Sequence, residues 1–255
     1  MFHRPPPASD IAEEENPYLL SFSDILAGLL AIFILALIAL MIKLDQQTDL
    51  AQETRQKVQQ ALLELAQVEE MRRELLEEVK RKLALQNVQV EITDNYSVLS
   101  IPETQLHFKS GHYTIPEAKY KTVSLIGGVL EKALHASGRL NLIDTIFIEG
   151  HTDSQPLTHS DMGNWGLSTY RAIALWKFWS EKPGAQKQFK RMKNRQGKPL
   201  FSVSGYAATR RLFKNDFTPQ IRQKNRRIDL RFTMRTPLSG DLMKMLEDFK
   251  QSGIQ

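Results

Sequence analysis

The longest apolar stretch of the chain lies near its N-terminus and predicts a membrane-spanning helix. From Ile25 to Ile42 there are 18 consecutive uncharged residues, almost all of them apolar. An α-helix of that length covers roughly 27 Å, and the hydrocarbon core of a bilayer is about 30 Å thick. We therefore expect a transmembrane helix over residues 17–43. The proline-rich and then acidic residues 1–16 predict a disordered tail.

Two alternative interpretations of this segment concern a signal peptide and the role of Asp24. A secretory signal peptide is disfavoured, because the apolar run is too long, its N-terminal flank is acidic and no small-residue cleavage site follows it. Asp24 is either a helix cap, a role that Ser21 or Ser23 fills equally well, or a carboxylate at membrane depth. The latter is costly and usually functional.

A long polar helix, which we call the stalk, is predicted directly after the span, over residues 44–85. It contains no Gly and no Pro, and apolar residues return on one stripe at three- and four-residue spacing. The stripe comprises Leu44, Ala51, Val58, Leu62, Leu65, Leu76, Val79 and Leu83. Polar residues interrupt it. The pattern favours an imperfect, paired coiled coil over a single solvated helix laced with Glu–Lys pairs.

The periodicity changes at residue 86 and predicts strands alternating with helices. Strands are expected at 88–92, 96–101, 105–108, 145–149, 201–205 and 227–233. One helix is expected from Thr114-Ile115-Pro116-Glu117, a capping-box pattern, to about His135, and another from Leu167 to Ser180. Residues 86–237 are thus expected to form an α/β sandwich, with helices packed on a mixed sheet. A C-terminal helix and tail are expected over residues 238–255.

Composition and charge narrow the functions open to the chain. The absence of cysteine excludes disulfides, thiol catalysis and thiolate metal sites. The net charge of +5 is uneven, because residues 182–235 contain 16 bases and two acids. Such a surface favours an anionic partner, either nucleic acid or an anionic cell wall. The basic run at 187–198 is broken by Phe189 and Met192, and we interpret it as a solvated loop.

No pattern in the sequence predicts enzymatic chemistry. There is no H-E-x-x-H, no paired metal-ligand spacing, no G-x-S-x-G and no nucleophile–base pair. His151 stands alone after a strand, where a histidine is usually a hydrogen-bonded structural residue. We expect a protein that is not an enzyme, with no cofactor, no metal and no nucleic-acid partner.

The segment IEGHTDSQPLTHSDMGNWGLSTYRA, from Ile148 to Ala172, resembles the OmpA-like peptidoglycan-binding family. That family has a G-H-T-D turn after a buried strand and an N-x-x-L-S-x-x-R-A pattern that opens a helix. Later in the chain, Ser204-Gly205-Tyr206 and Asn225-Arg226-Arg227-Ile228 are similar to its glycine turn and its N-R-R-V/I strand. The resemblance covers about residues 86–235. The loop between Asp153 and Asn164 is longer than in the commonest members.

The resemblance implies a site for the diaminopimelate of peptidoglycan stem peptides, whose free centre presents an ammonium and a carboxylate. Asp153 would take the ammonium, and Arg171 would fork onto the carboxylate. Thr152 and Asn164 would add hydrogen bonds and fix the loop. The alternative is that Asp153 and Arg171 only pair with each other.

The order of membrane helix, stalk and wall-binding domain resembles the B subunits of MotAB-type ion-driven stators. In that family the membrane helix carries one essential Asp after an S/T-Y-A-D lead, and here Ser21-Phe22-Ser23-Asp24 occupies the place. The resemblance implies that Asp24 takes and releases protons. It also implies a multi-span MotA-like A subunit as partner, in a ratio of five A to two B, with the chain itself as a homodimer.

The same resemblance implies a single-pass protein of the bacterial inner membrane, in contact with membrane lipid. Its N-terminal tail would be cytoplasmic and its C-terminal domain periplasmic, where it meets peptidoglycan. Flagellar stator B subunits and the B subunit of the Zorya anti-phage system both fit this plan. The acidic tail and the immediate long stalk favour the Zorya system. A static tether between inner membrane and wall, with Asp24 as a cap, is the third possibility.

Overall fold

The computed structural model describes residues 17–158, 161–181 and 187–235. The chain divides into two compact units, residues 1–60 and 61–255. The first described element is one continuous helix, α1, which runs from Pro17 to Ala84 and thus includes both the apolar span and the stalk. The tail predicted over residues 1–16 and the helix predicted over residues 238–255 lie outside the described residues.

Within the first unit, residues 21–50 of α1 are all exposed, and residues 25–42 are almost wholly apolar. In the described chain it is the one helix long and apolar enough to cross a membrane, and its most apolar 18-residue window has a mean hydropathy of 3.2 with none of it buried. Asp24 is exposed on this helix, and beyond the adjacent residues and nearby backbone of α1 itself, no described atom lies within 4 Å of the Cβ position of Gly28. The surface of this part of α1 is therefore free to contact lipid or another chain.

The second unit contains a five-stranded mixed sheet, counted over the residues that the structure describes. Its strands lie in the order β1-β2-β5-β3-β4. They are β1 (Glu91–Thr93), β2 (Val98–Pro102), β3 (Ile143–His151), β4 (Phe201–Gly205) and β5 (Arg227–Met234). The pair β3–β4 is parallel, and the other three neighbouring pairs are antiparallel.

Helices cover the apolar face of this sheet. Four follow α1 in the described chain: α2 (Glu103–Leu106), α3 (Tyr120–His135), α4 (Gly163–Glu181) and α5 (Pro219–Asn225). Short 3₁₀ turns lie at Glu117–Lys119, Ala136–Asn141 and Lys187–Arg191. The apolar stripes of α3 and α4 are buried in one core with the sheet. The predicted fold, a long apolar helix followed by an α/β domain with helices on a mixed sheet, is confirmed.

Strand alternation explains why one face of the sheet is apolar and the other charged. Ile146 and Ile148 of β3 belong to the core, as do Leu230 and Phe232 of β5. The intervening positions point to the opposite face, because successive side chains of a strand alternate. There Glu149, opposite Asp229 in the register, forms an ion pair with Arg231, and its side chain is buried despite its charge.

The last turns of α1 belong to the core of the α/β domain. Leu75, Leu76, Val79 and Leu83 are all 0% exposed. Leu62, on the same predicted stripe, is 60% exposed. One stripe therefore serves two purposes, because its C-terminal part packs on the domain while Leu62 lies open on the surface of the chain.

Two local predictions are wrong. Residues 105–108 do not form a strand; Glu103–Leu106 is a short helix that ends at His107 in the left-handed region, with φ 54°. The capping box at Thr114 does not form either, since Pro116 is extended and α3 begins only at Tyr120. The reason is Pro116, which disfavours helical geometry at the residue before it, Ile115, and so prevents a helix from starting there.

We expect Leu76→Ala to lower the free energy of unfolding of the α/β domain by about 2–5 kcal/mol, because it empties a fully buried position. Leu62→Ala is the matched control, and it should leave that unfolding within about 0.5 kcal/mol of the unaltered chain. All three tryptophans lie in α4, so their fluorescence during urea unfolding reports on the domain. Equal losses for both variants would contradict the packing of α1 described above.

Candidate functional site

The polar residues predicted from the sequence gather at one end of the central strands, where β2 and β3 end and β5 begins. We call this end of the strands the sheet edge. In the register, Arg227 at the start of β5 lies opposite both His151 and Pro102, the last residues of β3 and β2. The residues just beyond these positions are Thr152 and Asp153, Arg226, and Glu103. Antiparallel pairing thus brings three segments that are far apart in sequence to one place.

Two glycines let α4 approach this edge closely. A Cβ atom on Gly150 would lie 1.9 Å from the carbonyl oxygen of Ser168, and one on Gly205 would lie 2.3 Å from Oγ1 of Thr169. Only glycine permits such an approach of helix backbone to strand. Ser168 Oγ also accepts a hydrogen bond from the backbone N–H of Ala207, at 3.0 Å. These contacts fix the position of Arg171, one helical turn further along α4.

A cleft of about 260 Å³ lies at this edge and is lined by all four residues predicted as a site, Thr152, Asp153, Asn164 and Arg171. Its walls also contain Glu103, Phe108, Ser110, Gly111, Gln155, Pro156, Leu157, Leu167 and Arg226. Asp153 and Arg171 are 7% and 3% exposed. The cleft therefore holds both signs of charge in a setting largely shielded from water.

Asp153 forms an ion pair with Arg226 rather than with Arg171. Its Oδ2 accepts a hydrogen bond from Nη1 of Arg226 at 2.6 Å, and its Oδ1 accepts one from the backbone N–H of Gln155 at 3.1 Å. Arg226 also donates from Nε to Oε2 of Glu103, at 2.6 Å. Burial acts to lower the pKa of Arg226, but the hydrogen bonds to Asp153 and Glu103 outweigh it and raise that pKa.

Arg171 is held by the loop between α2 and α3. Its Nε donates to the carbonyl oxygen of His112 at 3.0 Å and its Nη2 to that of Lys109 at 3.3 Å. Its guanidinium carbon lies 5.0 Å from the centroid of the Phe108 ring. Burial lowers the pKa of Arg171, an effect that the negative charges of Glu103 and Asp153 oppose. The guanidinium group of Arg171 is thus held by backbone carbonyl oxygens, and no carboxylate in the described chain forms an ion pair with it.

Thr152 and Asn164 hold the backbone of the cleft. The backbone N–H of Thr152 donates to the carbonyl oxygen of Ala207 at 2.9 Å, and its hydroxyl donates to that of Asp153 at 3.1 Å. Asn164 Nδ2 donates to the carbonyl oxygen of Gln155 at 2.8 Å. These bonds connect the loop after β3 to α4 and to the segment after β4.

Two residues of the cleft, Glu103 and Arg226, were not predicted from the sequence as site residues. Arg226 was visible as the first arginine of the Asn-Arg-Arg-Ile motif, but there it indicated only a strand. Its position next to Asp153 follows from the pairing of β3 with β5, which the spacing along the chain does not reveal. Glu103 carried no sequence pattern, and it comes into place because β2 is the other neighbour of β5.

A network of buried charges lies beside the cleft on the polar face of the sheet. Potential ligand atoms of Glu149, His151 and Asp229 lie within 4.8 Å of one another, an arrangement that can in principle hold a metal ion. Each carboxylate is already neutralised, since Arg231 donates to Glu149 and Arg227 to Asp229. His151 Nε2 lies 3.1 Å from Oδ2 of Asp229, and its ring stacks on Tyr206. We interpret the cluster as structural.

The basic run at 187–198 is anchored to the domain by its two apolar residues. Phe189 is 1% exposed and Met192 is 7% exposed, and both belong to the core. The charged residues between and after them are exposed: Lys190, Arg191, Lys193, Arg195 and Lys198. The segment thus displays cations on a fixed backbone.

A larger groove of about 870 Å³ lies along α4, but it contains none of the four predicted residues. Its lining is mainly aromatic and aliphatic, with Tyr113 and Tyr170 in ring contact at one part of it. The charged residues that line it, Lys177 and Glu181, are both exposed. We therefore place the candidate site in the smaller cleft, where buried charges of both signs converge.

Asp216 connects a further loop to the cleft. Burial alone would raise the pKa of its carboxyl group, but hydrogen bonds from Ser154 and Asn225 and the charge of Arg211 hold that pKa at about 2. The bonds from Ser154 are 2.9 Å from its N–H and 2.5 Å from its hydroxyl. Asp216 therefore fixes the residue that directly follows Asp153.

Since the pKa of Asp216 is lowered on folding, ionised Asp216 stabilises the fold above its unfolded value, about 3.9, and this contribution is lost as the pH falls towards about 2. We expect Asp216→Asn to lower the urea midpoint at pH 7. The difference from the unaltered chain should shrink between about pH 4 and pH 2. Asp161→Asn, at an exposed position, is the control. A difference that stays constant across this range would contradict the assignment.

Comparison with known proteins finds one sequence family and several similar solved structures. Residues 107–226 match the sequence model of the OmpA family. No curated protein matches the sequence. Among solved structures, the periplasmic domain of Helicobacter pylori MotB is similar at 20% identity, with 65% of this chain and 92% of that chain covered and a TM-score of 0.44.

Two further solved structures give similar values. A putative MotB-like protein from Desulfovibrio vulgaris shows 17% identity, with 67% of this chain and 98% of that chain covered and a TM-score of 0.48. The cell wall anchor of the T6SS from Pseudomonas aeruginosa shows 20% identity, with 62% and 97% covered and a TM-score of 0.44. The family match and the order of strands and helices make the α/β domain of this chain OmpA-like.

Proposed function

We propose that this chain is the peptidoglycan-anchored B subunit of a proton-driven, MotAB-like motor complex of the bacterial inner membrane. The observation that carries the proposal is the cleft at the sheet edge, which gathers Asp153 and Arg171 within the segment that matches the OmpA family. In this proposal the α/β domain is periplasmic and binds the cell wall. The helix α1 crosses the membrane once, with its N-terminus in the cytoplasm.

The charges of the cleft support binding of a diaminopimelate stem peptide. The free centre of that residue carries an ammonium and a carboxylate on one carbon. Asp153 supplies a buried anion for the first, and Arg171 supplies a planar fork for the second. Thr152 and Asn164 keep the loop backbone in place for both. The exposed cations of residues 190–198 favour approach to an anionic wall polymer.

The membrane part of the proposal rests on the sequence around Asp24. Asp24, Ala27, Gly28 and Ala31 follow the spacing of one helical face, and small residues there allow another helix to approach closely. A carboxylate on such a face takes and releases protons when a multi-span A subunit surrounds it. We propose five A subunits to two copies of this chain, paired through the stalk.

The motor is assigned to the Zorya anti-phage type on two features. The tail before the span is acidic, with Asp10, Glu13, Glu14 and Glu15. The helix continues from the span into the stalk without a break, as α1 does here. A flagellar stator B subunit is the closest alternative. A static tether from membrane to wall is the other. The cap role expected for Asp24 in that case does not fit the structure, because α1 begins at Pro17 and Asp24 lies seven residues further along it.

Wall binding should depend on both charged residues of the cleft. We expect Asp153→Asn and Arg171→Lys each to weaken binding of the full-length protein to purified sacculi about 10- to 100-fold, since each removes a buried charge-assisted contact. The Lys variant keeps the charge and loses the fork. Binding is measured by co-sedimentation in detergent.

Asp161→Asn and Lys177→Ala are the matched controls, because both residues are exposed and lie on or beside α4. Both should bind sacculi as the unaltered chain does. Melting temperatures of all variants separate lost binding from lost folding. Unchanged binding by both cleft variants, with folding intact, would exclude the site.

Asp24→Asn should abolish protection of cells against phage, scored by plaque counts, because an amide cannot carry a proton. Ser23→Ala is the control and should keep protection. Membrane insertion and co-purification of the A subunit should be normal for both. Protection retained by Asp24→Asn would rule out the ion path and leave the static tether.

A further inference from the structure

We propose that Glu103 and Arg226 are ligand-binding residues of the cleft, so that two carboxylates and two guanidinium groups together recognise one zwitterionic centre. In this arrangement Glu103 shares the ligand's ammonium with Asp153, and Arg226 shares its carboxylate with Arg171. The inference rests on the proposed function, since it concerns the same cleft and the same stem peptide.

The four charged side chains form one connected set. Arg226 lies between the two acids, with both ion pairs at 2.6 Å. Glu103 is 8% exposed and lines the cleft together with Arg171 and Arg226. The acids and arginines balance to zero net charge. A zwitterion enters such a set without adding net charge, whereas an ammonium or a carboxylate alone would leave one charge unmatched.

Each arginine keeps donors that no acceptor in the described chain uses. Arg171 donates to backbone carbonyls from Nε and Nη2, and Arg226 donates to carboxylates from Nε and Nη1. The remaining groups are Nη1 of Arg171 and Nη2 of Arg226, and neither is a buried unsatisfied atom. Both residues line the cleft. A ligand carboxylate between them would therefore receive hydrogen bonds from two guanidinium groups.

Glu103 offers a matching acceptor. Its Oε2 is bound by Arg226, and its Oε1 receives no hydrogen bond within residues 17–158, 161–181 and 187–235. Asp153, in contrast, has both oxygens occupied, by Arg226 and by the backbone of Gln155. An ammonium near Asp153 would therefore have to share an oxygen with a hydrogen bond that is already made. Oε1 of Glu103 provides the open position.

The test uses the full-length protein and three synthetic peptides, with affinities measured by isothermal titration calorimetry. The first is L-Ala-γ-D-Glu-meso-diaminopimelate. The second has 2-aminopimelate as its last residue, which keeps the carboxylate and lacks the free ammonium. The third has L-lysine there, which keeps the ammonium and lacks the carboxylate. The unaltered chain should bind the first peptide about 10- to 100-fold more tightly than either of the others.

Glu103→Gln removes the charge with little change of shape. If Glu103 binds the ammonium, this variant should lose at least about tenfold in affinity for the diaminopimelate peptide and change less than about twofold for the aminopimelate peptide. If Glu103 merely positions Arg226, the loss should be the same for both peptides, since both keep the carboxylate. Glu117→Gln, at an exposed position of the same domain, is the control.

Arg226→Gln tests the binding of the ligand's carboxylate. This variant should lose much affinity for the diaminopimelate peptide and little for the lysine peptide, which has no carboxylate at that position. The inference is overturned if Glu103→Gln loses affinity equally for both carboxylate peptides, or if its affinity for the diaminopimelate peptide stays within about twofold of the unaltered chain. The proposed function survives either result if Asp153→Asn still binds that peptide at least about tenfold more weakly. No binding of the first peptide by the unaltered chain would overturn the proposed function as well.

Discussion

The close approach of α4 to the ends of β3 and β4 is the constraint on which the site depends. Gly150 and Gly205 leave no room for a side chain between strand and helix, so the backbone at Ser168 and Thr169 rests directly on the sheet. That contact sets the height of Arg171 above the sheet edge. Asp153 follows Gly150 by three residues, and its position is set by the same strand end. These packing contacts therefore fix where both residues lie in the lining of the cleft.

The cleft and the surface around it differ in net charge. The basic C-terminal segment contains only two acids between residues 187 and 235, Asp216 and Asp229, and both are buried. Its exposed charges are thus almost entirely cationic, which attracts an anionic polymer over distances up to about a Debye length. The cleft is neutral, with Glu103 and Asp153 matched by Arg171 and Arg226. Long-range attraction and local selection are therefore separated in space.

Periodicity and the resemblance carried by the G-H-T-D motif together predicted the fold, and the four predicted residues do line one cleft. Local patterns failed where tertiary contacts decided the structure. Leu106 and Phe108 alternate with polar residues as in a strand, and both are buried. However, Leu106 ends the short helix α2, and Phe108 follows the left-handed residue His107. Glu103 and Arg226 escaped notice because the sheet order β2-β5-β3 brings together strands that are not neighbours in sequence. Register of this kind is set by pairing across the sheet, and a single sequence contains little trace of it.

The burial of the last turns of α1 has a mechanical consequence. In the proposed function, a wall-bound domain must resist force applied through the stalk. Leu75, Leu76, Val79 and Leu83 are part of the domain core, so a pull on this end of α1 acts on the core itself rather than on a flexible joint. Separating the helix from the domain would expose these side chains to water at about 1.5–3 kcal/mol each. Within the second unit, the strength of the anchor under load is thus tied to the stability of the fold.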